Sequence, residues 1–131
     1  ARTEQQLRRK LAEGFYPEEA ADYAIAYCKD KHYIDDEEYA RRYIELKTGT
    51  LSKKMIEQKL YSRGIGKDIT ENAFEETGFS EDEAIRSLIR KKIGEVDTYD
   101  REERQKVIRK LMSKGFSYDS IRRVLDDTGI C

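Results

Sequence analysis

Lys110-Leu111-Met112-Ser113-Lys114-Gly115-Phe116 closes a segment whose apolar residues, Val107, Ile108 and Leu111, recur at helical spacing. The phrase returns about fifty residues earlier, where Lys59-Leu60 leads to Gly64-Ile65, and again near the start, where Lys10-Leu11 leads to Gly14-Phe15. Each time a basic, apolar-striped segment stops at glycine plus a large apolar residue, and a polar or acidic helix start follows. The pattern predicts a helix end with glycine in the left-handed conformation and the apolar residue folded back onto the helix. Self-similarity at this period signals a tandem helical array, an architecture that provides binding surfaces.

Composition agrees. The chain has 131 residues, 40% of them charged, 37% hydrophobic, with one proline, no tryptophan and mean hydropathy -0.90. Low hydrophobicity and high charge favour disorder, but 26 basic residues nearly balance 27 acidic ones, and the apolar residues keep helical spacing. No apolar run approaches the roughly twenty residues of a membrane span. Cys28 and Cys131 show neither CxxC nor a disulfide framework, so the expected setting is reducing and cytoplasmic. The chain opens at Ala1-Arg2-Thr3, so any leader would lie outside it.

Helix starts are marked by Thr3-x-x-Gln6, Asp35-x-x-Glu38, Ser80-x-x-Glu83 and Asp100-x-x-Glu103, all with capping-box spacing. Leu51, Ser52 and Ile56, and likewise Phe116, Ser117 and Ile121, read as hydrophobic staples, and Pro17 suits a first helical turn. Eight helices follow, over 3–13, 17–31, 35–48, 52–63, 67–77, 80–93, 100–114 and 117–127, with a loop from Gly94 to Tyr99 and no strand. Leu7 and Leu11 share one face. Tyr23, Tyr27, Tyr39 and Tyr43 fall at helical spacing and read as core, as does Cys28 beside Ala24 and Ile25.

The helix starting IDDEEYARRYI matches the later FSEDEAIRSLI, setting Ala40 against Ile85, Tyr43 against Leu88 and Ile44 against Ile89. The unit is then three helices. Repeat one spans 1–33, repeat two 34–78 and repeat three 79–131. The expected fold is all-α, an elongated tandem array of three-helix repeats with about eight helices, the first repeat lacking its leading helix. On that register the chain reads as a fragment of a longer protein.

Little points to catalysis. His32 has Asp30, Asp35 and Asp36 as neighbours, a weak metal set that is better read as a loop histidine. The run Asp35-Asp36-Glu37-Glu38 resembles the carboxylates of a metal-dependent nuclease, yet acids at a helix start offset the macrodipole, and Ser80–Glu83 and Asp100–Glu103 repeat the arrangement. Neither GxGxxG nor GxxxxGK[ST] occurs. The expectation is no enzyme, no metal and no cofactor.

The basic residues carry more information. Residues 1–50 and 51–100 each hold nine basic and eleven acidic side chains, whereas 101–131 hold eight and five. The candidate contact residues, chosen by charge and position, are Arg90, Lys91, Lys92, Arg109, Lys110, Lys114, Arg122 and Arg123. A cationic last repeat suits docking on an acidic partner, either nucleic acid, a nucleoprotein filament or a charged protein surface. Bases at helix C-termini also complement the dipole, and a pI near 6.0 argues against a dedicated DNA binder. Tyr99 and Tyr118 flank the cationic repeat as further contact candidates.

The strings EQQLRRKLAEGF, HYIDDEEYARRYI, IEQKLYSRGI and DREERQKVIRKLMSKGFSYDSIRRVL, in this order and spacing, resemble the RecX family of RecA regulators. The resemblance spans nearly the whole chain. His32 replaces a usual glycine, Lys47-Thr48-Gly49-Thr50 replaces a usual basic–glycine stretch, and the leading helix is absent. The resemblance implies a non-enzymatic modulator made of three three-helix repeats, which binds the RecA filament and mainly inhibits its ATP hydrolysis and strand exchange in recombination and the SOS response. It implies RecA as partner, with single- or double-stranded DNA as a further one; a monomer is the simplest expectation, and hydropathy and cysteine usage point to no membrane and a cytoplasmic location. The other readings are a direct nucleic-acid-binding module and a generic protein-interaction scaffold.

Overall fold

The computed structural model describes residues 2–94 and 100–127. Among them are eight helices and no strand: α1 Glu4–Glu13, α2 Glu18–Asp30, α3 Asp36–Lys47, α4 Lys53–Ser62, α5 Lys67–Thr77, α6 Glu81–Gly94, α7 Arg101–Ser113 and α8 Tyr118–Asp127. The fold is an all-α tandem helical one. Most of the loop expected at 94–99, together with Tyr99 and Cys131, lies outside the described residues.

The caps explain why the boundaries are sharp. Thr3 forms a full capping box with Gln6, each side chain bonded to the other's backbone amide. Asp35, Ser52, Ser80, Asp100 and Ser117 each accept from the amide three residues on, at 2.9–3.3 Å. Each cap satisfies an amide that the helix leaves unpaired, a contribution of about 1 kcal/mol.

The repeated ending holds at two of its three sites. Gly64 and Gly115 have φ of +87° and +96°, and Ile65 and Phe116 fold back with their amides bonded to the carbonyls of Leu60 and Leu111. Both apolar residues are 2% exposed. At the first site Gly14 has φ -82°, while Phe15 takes the left-handed conformation at φ +61° and is 93% exposed. The reason is arithmetic along the backbone. The returning amide counts five residues from the leucine carbonyl, so Leu11 is met by Tyr16, and Phe15 occupies the glycine's place. Leu11 is followed by glycine after three residues, Leu60 and Leu111 after four.

The chain forms two compact units. The first comprises residues 1–46 and 57–78. Its buried residues include Ile25, Ile34, Ala40, Tyr43, Ile44, Leu60, Ile65, Ala73 and Phe74. Arg63 lies over the Tyr43 ring at 4.5 Å, a cation–π contact, and donates to the Tyr39 hydroxyl at 2.6 Å. Tyr23 and Tyr27 depart from the core reading, since α2 buries Ala21 and Ile25 and leaves the tyrosine stripe beside them 76% and 49% exposed. Cys28 is half-buried, as are Leu7 and Leu11.

The second unit comprises residues 47–56 and 79–131. Its core joins Ala84, Ile85 and Ile89 of α6, Val107, Ile108 and Leu111 of α7, Phe116, and Ile121, Val124 and Leu125 of α8, with Leu88 and Ile93 packed against them.

The two units share local devices. In the first, the buried Thr3 hydroxyl donates to the Arg63 carbonyl at 2.6 Å. In the second, the amide of buried Ser52 donates to the Lys114 carbonyl at 3.1 Å. Both carbonyls belong to the residue just before the left-handed glycine. Likewise Arg41 bridges Glu38 at 2.8 Å and Glu76 at 2.9 Å, and Arg86 bridges Glu83 at 3.2 Å and Asp127 at 3.7 Å. Solvent screens these exposed pairs, so they add little to stability.

Candidate functional site

The site is built from α6 and α7 of the second unit. Helical periodicity buries Ile85 and Ile89 and leaves Leu88 at the edge of the core, with Lys91 and Lys92 one turn further on. On α7, Val107 and Leu111 lie one turn apart, and Lys110 and the C-cap residue Lys114, also one turn apart, run beside them. Leu88, Val107 and Leu111 floor a cavity of about 100 Å³ open to solvent, and Lys91, Lys92, Lys110 and Lys114 line it as well. Four of the eight residues singled out by charge are thereby brought together. The cations sit towards the C-terminal ends of both helices, where the macrodipole favours them.

The other four do not line this cavity. Arg90 and Arg109 are exposed elsewhere on the same helices. Arg123 donates to Asp82 at 2.8 Å, and that hydrogen bond holds its guanidinium above the ordinary value. Arg122 lies 3.9 Å from Asp126. Among the described residues no acidic side chain comes within ion-pair distance of Lys91, Lys110 or Lys114. The cavity was not legible, because periodicity shows which residues turn inward and not where two packed helices leave a gap between their side chains.

The acidic run has structural work. Asp35 caps α3, Asp36 accepts from the Glu4 amide at 3.0 Å, and Glu38 is held below its ordinary carboxylate value by hydrogen bonds from Arg41 and then Arg42. His32 sits in the turn after α2 with φ +58°. Among the described residues no group of three or more His, Cys, Asp or Glu side chains is placed to hold a metal ion, and no helix is long and apolar enough to cross a membrane. Tyr118 is 46% exposed at the start of α8.

Amines around a hydrocarbon floor are suited to holding an acidic partner. Residues 80–125, which contain α6, α7 and most of α8, match the family profile described as RecX, third three-helix domain. The regulatory protein RecX of Clostridium botulinum (strain Alaska E43 / Type E3) is 34% identical over 134 residues, and this chain spans 61% of its length. The regulatory protein RecX of Salmonella typhimurium is 34% identical over 133 residues, covering 93% of this chain and 80% of the relative. The crystal structure of RecX from Lactobacillus salivarius superposes with a TM-score of 0.77 at 26% identity, over 99% of this chain and 87% of the other. A second RecX crystal structure gives 0.73 at 29% identity, over 95% of this chain and 65% of that one. With one-third identity over most of a whole relative and the same helical trace in solved ones, the chain belongs to the RecX family of regulatory proteins.

Proposed function

We propose that this chain binds the RecA filament and restrains its ATP hydrolysis and strand exchange, acting by contact and not by catalysis. The observation that carries the reading is the lysine rim of Lys91, Lys92, Lys110 and Lys114 around an apolar floor, on a chain of the RecX family. In this reading repeats 1–33, 34–78 and 79–131 form one binding array, the protein acts as a monomer in the cytoplasm, and Arg90, Arg109, Arg122 and Arg123 extend the cationic surface. Regulation through contact fits a surface that offers charge and shape to a partner protein.

The test is RecA's DNA-dependent ATPase, measured with the wild-type chain and with Lys91→Glu/Lys110→Glu. Inhibition by the wild type, lost in the double variant at unchanged helicity, is the expected result. Full inhibition by the variant overturns the site, and no inhibition by the wild type overturns the partner.

Direct binding to nucleic acid is the second reading, favoured by the same four lysines. It requires affinity that falls steeply with salt as counterions are released. Titration of labelled single-stranded DNA at low and moderate salt, without RecA, separates the two.

A further inference from the structure

We propose that the cavity between α6 and α7 receives one large apolar side chain from an acidic segment of the partner protein, with the lysine rim engaging carboxylates on both flanks of that anchor. The proposal deepens the reading of the chain as a protein-binding regulator and rests on it.

Size restricts the occupant first. A cavity of about 100 Å³ holds one branched side chain, or part of an aromatic one since it opens to solvent; an enclosed apolar cavity that takes a whole benzene is larger, about 150 Å³. Small-molecule sites run to roughly 300–1,000 Å³.

Chemistry restricts it next. Leu88, Val107 and Leu111 offer the floor only hydrocarbon. A nucleobase pressed on that floor would lose hydrogen bonds to water and could regain them only from the rim, whereas an apolar side chain has none to lose. A phosphate alone would meet the rim and leave the floor empty.

The rim then sets the flanks. Lys91 and Lys92 come from one wall, Lys110 and Lys114 from the other, so an anchor seated between them has an ammonium group on either side. Lysine stems lie along apolar surface while their heads reach outward, which lets the same four residues deepen the cleft and attract carboxylates. The matching sequence is acidic, large apolar, acidic.

The experiment titrates the isotope-labelled chain with the peptide Asp-Glu-Phe-Glu-Asp, with the same peptide carrying serine for phenylalanine, and with a single-stranded oligothymidylate. Methyl resonances of Leu88, Val107 and Leu111 are expected to move with the phenylalanine peptide. Affinity is expected to drop about tenfold or more with the serine peptide, and similarly with Lys110→Glu in the chain. Equal binding of the serine peptide, methyls that stay still at saturating peptide, or oligothymidylate displacing the peptide while moving the same methyls would each overturn the proposal.

The RecA ATPase assay, run in parallel, separates the two claims. Peptide seated in the cavity without RecA inhibition supports the cavity and overturns RecA as partner. RecA inhibition that survives Lys110→Glu, with no peptide seated, overturns the cavity and leaves the partner standing.

Discussion

The Ser52 amide donates to the Lys114 carbonyl at 3.1 Å, which fastens the start of α4 to the end of α7 one residue before Gly115. The missing side chain is what allows the approach. A Cβ on Gly115 would collide with Ser52 Oγ and Met55 Cγ, and φ is +96° besides. Gly115→Ala therefore combines a conformational cost of about 1–2 kcal/mol with the loss of this fastening. Gly49→Ala has a similar φ of +80° and open space around it, so it carries only the first cost. Urea denaturation of both variants should show Gly115→Ala as clearly the less stable. Equal losses would mean the contact contributes nothing.

Thr3 holds the corresponding position on α1, and its hydroxyl both caps Gln6 and donates to the Arg63 carbonyl. Thr3→Val keeps the volume and removes both bonds in a fully buried place. The expected loss is about 2 kcal/mol, while Thr3→Ser retains most of the stability. A valine variant as stable as wild type would show that water replaces both partners.

Phe15 presents the opposite sign. Its left-handed backbone is strained and its ring is 93% exposed, so Phe15→Gly should stabilise the chain by about 0.5–1 kcal/mol. Thermal melts decide it, and a lower melting temperature would mean the ring makes contacts that stabilise the fold.

Acid should weaken the first unit through Glu38. Arg41 and then Arg42, by hydrogen bonding, depress its folded pKa below the ordinary 4.5. A depressed carboxylate gives stability that is present above the unfolded value and lost as pH falls through the folded one. Glu38→Gln removes that contribution, so its melting temperature should fall less than the wild type's as pH is lowered from above 4.5 through the folded value. Parallel curves would show that the pair does not couple to folding.

The helices were legible because apolar period and caps agreed at most boundaries: Thr3, Asp35, Ser52, Ser80, Asp100 and Ser117 all accept from the amide three residues on, and Thr3 has the returning bond of a full box as well. The misreading at Phe15 came from matching glycine to glycine, when the backbone counts from leucine. For the site, Lys91–Lys92 and Lys110 stood out as charge, but their meeting depends on α6 packing against α7. Arg123 was a candidate by charge alone, and its pairing with Asp82, 41 positions away in the chain, is visible only in the fold.

The left-handed positions after α4 and α7 are sockets, and the one after α1 is plugged. A benzyl group stands at Phe15 where Gly64 and Gly115 leave room for Gln5 and Met55. Each unit thus carries one receiving position, filled by the start of another of its own helices, and the end of α1 lacks the bare backbone that would make a third.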